Sequence, residues 1–167
     1  MKNNFPQRKR TRLSEFDYNT PEKYFVTFCV DKRKNILSKI VGEGSSLPLL
    51  TSYGKAVDKL IGEIPGKYPG IGVEAYVIMP NHVHLLLSVS ESDGWGNPTP
   101  TIDQVIGWLK FHATKKINEL RQSPFERVFQ RSFHDHIIRG QNDYEEIFHY
   151  INDNPCRWKA DKFFAAE

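Results

Sequence analysis

The sequence predicts an α+β fold: a central antiparallel sheet with helices packed on one face. Three observations carry this expectation. Four stretches rich in β-branched, aromatic and other apolar residues read as strands, at 23–30, 71–79, 82–89 and 131–139. Two longer stretches, from Thr51 or Ser52 to about Ile64 and from Thr101 to about Leu120, carry apolar residues at helical spacing, and a third helix fits before Pro155. The order β–(β)–α–β–β–α–β–α places strand pairs between helices, which an antiparallel sheet with a helical layer accommodates.

The chain has 167 residues, which suits one domain over 1–167, with residues 1–20 as a basic arm holding Arg8, Lys9, Arg10 and Arg12. Charged residues make up 26% and apolar residues 39%, the balance of a globular domain. No apolar run approaches the roughly 20 residues of a membrane span, and Met1-Lys2-Asn3-Asn4 opens no apolar signal core, so cytoplasmic residence without a membrane partner is the expectation. Cys29 and Cys156 are isolated, which excludes Cys-x-x-Cys zinc or redox motifs. Net charge is only +3, but the cations cluster in the arm, at Lys32-Arg33-Lys34, and at Lys110, Lys115 and Lys116 of the second helix. Such clusters suit phosphate contacts or a solvated face.

In chain order, Lys23 to Val30 is a strand entered after Thr20-Pro21, and Ile36 to Val41 is a short strand or irregular. Leu47-Pro48-Leu49-Leu50 is at best an edge strand because of its proline. The first helix puts Val57, Leu60, Ile61 and Ile64 on its apolar stripe and ends at Pro65-Gly66. Val73, Ala75 and Val77 share one face of the next strand, which turns at Pro80-Asn81 into its hairpin partner. Residues 91–100 form a loop, and the second helix follows with Lys110 and Lys115 off its apolar stripe. Arg131 to Arg139 is a strand. Asn142 or Asp143 caps the last helix.

Chemistry concentrates in two places. In His82-Val83-His84, residues two apart share a strand face, so both imidazoles project side by side as a metal-binding pair. His134-Asp135-His136 is a second such spacing, without an apolar residue between its histidines. On the last helix, Tyr144, Ile147, Phe148 and Ile151 form the core stripe, and Asp143, Glu146, Tyr150 and Asn154 form a polar stripe beside it. A tyrosine hydroxyl can attack phosphorus, and an asparagine oxygen one turn away is a hard ligand for a divalent cation. His82, His84 and Asn154 would make an open three-ligand site beside Tyr150. Tyr144, on the same helix, falls in the core stripe and is followed at i+4 by Phe148.

Tyr24-Phe25-Val26-Thr27-Phe28, Val77 to His84, Gly107-Trp108-Leu109-Lys110, Phe133 to Arg139 and Tyr150-Ile151-x-x-Asn154-Pro155 occur in this order. Over roughly residues 8–158 the chain resembles the single-tyrosine HUH transposases, in particular the REP-associated branch. The resemblance implies a ferredoxin-like or RRM-like sandwich and an enzyme that cleaves and rejoins single-stranded DNA through a 5′-phosphotyrosine. It implies Tyr150 as nucleophile, His82, His84 and Asn154 as ligands of Mg²⁺ or Mn²⁺, and hairpin-forming repeat DNA as partner. It leaves monomer and homodimer open. It also places the second helix beside DNA, with Lys110 as a phosphate contact and Lys115 as a further candidate. A non-catalytic nucleic-acid-binding domain and a replication initiator or relaxase-type nickase are the alternatives.

Overall fold

The computed structural model describes residues 22–42, 47–90 and 100–165, so Arg8, Lys9, Arg10 and Arg12 lie outside the described part. Its strands are β1 (Lys23–Cys29), β2 (Ser38–Lys39), β3 (Leu49–Leu50), β4 (Ile71–Ile78), β5 (His82–Val89) and β6 (His134–Ile137). Its α-helices are α1 (Ser52–Lys67), α2 (Ile102–Leu120) and α3 (Gln141–Asp153), and a 3₁₀ turn covers Pro155–Ala160. β4, β5, β1 and β6 form one antiparallel sheet in that order, while β2 and β3 pair separately.

The α+β class and antiparallel sheet stand as expected, but the cover is two-sided. Val26, Phe28, Val83, Leu85 and Leu87 pack with the apolar stripes of α1 and α2. Cys29, Val77, Met79 and Leu86, with Phe25 at the margin, pack on the opposite face under Ile147 and Ile151 of α3, with Trp158 and Phe163 beyond. The reason lies in the central strand. β5 is buried on both faces, with Leu86 on the side opposite Val83, Leu85 and Leu87, and a strand buried on both sides needs a layer on each.

A bulge shapes β4. Val73 pairs with Leu87 but Ala75 pairs with Leu86, so Glu74 is the extra residue and the alternation slips by one. Val73 therefore packs with the α1/α2 layer, while Ala75 and Val77 turn to the α3 layer. The three do not share one face as the unbroken period had suggested. Nor does Pro65 end α1: it sits in the last turn, which closes through Tyr68 N–H to the Ile64 carbonyl.

The two long helices start as their sequences indicate. Thr51 caps α1 through Gly54 N–H, and Thr101 with Gln104 forms a reciprocal capping box on α2. α3 begins two residues earlier than a cap at Asn142, and three earlier than one at Asp143, would have set it. Its N-cap is Gly140 at φ 98°, and Asp143 reaches back to accept the Arg139 N–H at 2.8 Å. α3 so placed sets Tyr150 against His84 of β5.

Candidate functional site

β5 holds His82 and His84 on the α3 face, with Val83 buried on the other. Both imidazoles are almost wholly inaccessible, and their Nε2 atoms converge to 3.1 Å. Two nitrogens each about 2.1 Å from one ion, at adjacent octahedral corners, would lie about 3.0 Å apart, so the spacing suits a shared cation. Burial pushes the His82 pKa down to about 4, the nearby Asp161 carboxylate opposing it in part. His84 is likewise held well below the usual histidine range, by burial and by its neighbour His82. Both rings are therefore neutral at pH 7, the form that ligates metal.

The outward nitrogens are both engaged. His82 Nδ1 lies 2.9 Å from Asn81 Oδ1, and His84 Nδ1 lies 2.7 Å from Thr27 Oγ1 on the adjoining strand. Such outer contacts fix ring orientation in metal sites.

Asp161, just past the 3₁₀ turn, completes the cluster. One ligand atom each from His82, His84 and Asp161 lies within 4.8 Å of the others, and among the described residues this is the group so placed. The Asp161 carboxylate also accepts from Phe163 N–H at 2.6 Å and from Asn154 Nδ2 at 3.0 Å. A carboxylate only accepts, so the amide end of Asn154 faces Asp161 and its Oδ1 points elsewhere. That oxygen is buried and meets no hydrogen-bond partner among the described residues, so its lone pairs are uncommitted.

Tyr150 stands over this cluster. Its ring centroid is 5.3 Å from that of His84 and 5.9 Å from that of Phe25. Burial and the Asp161 charge raise its hydroxyl pKa above the ordinary value, with Asn154 opposing, so the free hydroxyl is protonated. Tyr150, Asn154 and Asp161 line an open cleft of about 730 Å³ with Phe25, His136 and Lys162. Tyr144 is committed elsewhere: its hydroxyl donates to Glu74 at 3.1 Å and Lys23 sits over its ring.

The structure thus brings four sequence-predicted residues, His82, His84, Tyr150 and Asn154, together within one chain. Others stand apart from the histidine pair. His136 lines the same cleft but pairs with Asp143 at 2.9 Å near the start of α3. Lys110 is engaged within the chain: its ammonium donates to the carbonyls of Gln130, Arg131 and Ser132 at 2.6, 2.9 and 3.3 Å. With its three protons so placed, and burial lowering its pKa to about 8, it ties α2 to the loop before β6. Lys115 is exposed on α2, whose layer covers the sheet face opposite the cleft. Asp161 and Lys162 escaped the sequence reading because they lie in irregular chain where no periodicity aims a side chain. The proximity of Pro155 and the apolar Phe163 and Phe164 signals only that the segment packs back.

The chain is 28% identical over 170 residues to an uncharacterized protein of Haemophilus influenzae (strain KW20 / Rd), covering 94% of this chain and 93% of that one. A second protein of that organism, named "Putative REP-associated tyrosine transposase", is 31% identical over 91 residues, half of this chain and 48% of the other. A solved structure of a REP-associated tyrosine transposase bound to a REP hairpin shares the fold at TM-score 0.55 and 20% identity, over 87% of this chain and 74% of that one. Residues 20–154 match the family model described as "Transposase IS200 like". With most of the sequence matched, and the fold shared, the chain belongs to the IS200-like transposase family.

Proposed function

We propose that the protein is a metal-dependent single-stranded DNA endonuclease and strand transferase of the REP-associated branch, acting at hairpin-forming repeat DNA. The observation that carries this reading is Tyr150 seated 5.3 Å from His84, beside a convergent His82–His84–Asp161 cluster of which Asp161, with Tyr150, lines the open cleft. The relative solved with a REP hairpin supports the choice of DNA.

His82, His84 and Asp161 would hold Mg²⁺ or Mn²⁺, with Asn154 Oδ1 as a further donor, and the bound ion would polarise the scissile phosphate and offset its developing charge. Two imidazoles favour manganese over magnesium, which prefers oxygen. Tyr150 Oη attacks phosphorus. The phosphorus–O3′ bond breaks, the tyrosine proton ends on the departing oxygen as a 3′-OH, and the DNA 5′ phosphate remains on Tyr150. A 3′-OH then attacks that phosphotyrosine, which reseals DNA and restores the hydroxyl. The protein's part is positional: α3 holds the Tyr150 ring beside His84, Asn154 opposes the rise in its hydroxyl pKa, and Phe25 walls the ring.

The test is incubation of the protein with single-stranded hairpin-repeat DNA and Mn²⁺, read as a covalent adduct on a denaturing gel. The adduct is expected with the native chain and absent in Tyr150→Phe, which should still bind DNA. An adduct that survives in Tyr150→Phe overturns the nucleophile. No adduct under any divalent cation, with salt-dependent binding intact, would instead favour a non-catalytic DNA-binding domain.

A further inference from the structure

Asn81, at the hairpin turn into β5, is fully buried and its carboxamide is used at both ends. Its Nδ2 lies 2.9 Å from the Phe163 carbonyl and 3.3 Å from the Arg33 carbonyl. Carbonyl oxygens only accept, so these two contacts fix which end of the amide is nitrogen. Its oxygen therefore faces His82 Nδ1 at 2.9 Å, and that oxygen too can only accept. The single N–H of a neutral His82 must then be on Nδ1, and its Nε2 carries a lone pair.

His84 is held differently. Its Nδ1 contacts Thr27 Oγ1 at 2.7 Å, and a hydroxyl can donate or accept. Its Nε2 is 3.1 Å from the lone pair of His82 Nε2. Without a cation, two facing lone pairs would repel, so His84 carries its proton on Nε2, donates to His82, and accepts from Thr27. With a cation between the rings, both Nε2 atoms must present lone pairs. His84 then takes the Nδ1–H form and the Thr27 hydroxyl turns to accept, with no net gain or loss of protons.

We propose that Asn81 is a positioning residue that locks His82 in the Nδ1–H tautomer, while His84 changes tautomer against the Thr27 hydroxyl when a divalent cation enters. The lock rests on the hydrogen-bond chain alone; the switch rests on the metal reading above. Asn81 also grips the Phe163 carbonyl, two residues beyond Asp161, so one side chain registers a β5 ligand against the segment that carries the carboxylate.

The experiment is long-range ¹H–¹⁵N correlation of ¹⁵N-histidine-labelled full chain, first in chelator and then with Zn²⁺ as a diamagnetic probe. Expected in chelator are Nδ1–H for His82 and Nε2–H for His84, and with Zn²⁺ both rings as Nδ1–H. An Nε2–H signature for His82 in the metal-free native chain overturns the lock. A His84 already Nδ1–H in chelator, or unchanged at saturating Zn²⁺, overturns the switch. Absence of Zn²⁺ and Mn²⁺ binding by calorimetry overturns the switch and the metal reading together, and the chelator spectrum still decides the lock. Asn81→Ala should give mixed His82 tautomers and about 10–100-fold weaker Zn²⁺ binding. Asn81→Asp, which keeps an acceptor oxygen, should retain Nδ1–H; its loss there overturns the proposal.

Discussion

Asn154 donates from Nδ2 to Asp161 Oδ2 at 3.0 Å, which joins the residue one turn past Tyr150 to the carboxylate nearest the histidine pair. The two side chains sit in different elements, yet each orients the other. Removing either should therefore disturb the same site. Asp161→Ala and Asn154→Ala are each expected to weaken Mn²⁺ binding by roughly 10–100-fold. Their effects should be non-additive by more than about 0.5 kcal/mol, because the second deletion finds the bond already broken. Titration calorimetry on the two single variants and the double variant measures this, and strict additivity would contradict a shared role.

Lys110 should reveal itself as a structural residue. In Lys110→Met the carbonyls of Gln130, Arg131 and Ser132 lose their common donor while much of the buried stem volume is kept. A loss of about 1–3 kcal/mol in denaturant unfolding is expected. The salt slope for single-stranded DNA should stay unchanged. A slope lowered by about 0.7, the signature of one lost phosphate contact, would return Lys110 to the DNA interface.

Gly140 introduces α3 at φ 98° and ψ 177°, a conformation closed to residues with a Cβ. Gly140→Ala should cost roughly 1–3 kcal/mol even though a Cβ there would meet open space. The strain falls on the helix that carries Tyr150. Adduct formation should therefore drop more than DNA binding, measured side by side on the same hairpin substrate.

Phe163 packs 4.6 Å from the His82 ring, with Arg33 and Lys162 over its own ring. Phe163→Ala should lower stability by about 3–5 kcal/mol, the cost of a large buried truncation. It should also release the segment that holds Asp161. Metal affinity measured below the new unfolding midpoint should fall relative to the native chain.

The parts of the site that sequence reasoning reached share one property: each lies on a regular element. The period of a strand placed His82 and His84 together, and the pitch of a helix placed Asn154 beside Tyr150 and turned Tyr144 inward. Asp161 was beyond that reach, because it meets the histidines across about eighty residues through irregular chain. The β4 bulge was illegible for a related reason. One unpaired residue at Glu74 reverses the facing of Val73 relative to Ala75, and nothing in Val73-Glu74-Ala75 marks the slip. The carbonyl contacts of Lys110 were likewise out of reach, because position on a helix wheel does not reveal which carbonyls a neighbouring loop presents. The second layer was overlooked for want of weighing Leu86, whose side chain lies on the face of the histidines.

That second layer divides the molecule by rigidity. β5 lies between β4 and β1 and is covered on both sides, so its amides should exchange with solvent only when the whole domain opens. The histidine pair inherits that permanence. Tyr150 and Asp161 ride on α3 and the turn after it, a thinner layer laid over one face. The site thus joins a floor covered on both faces to a roof, α3 and the turn after it, that is packed against the sheet on one face only.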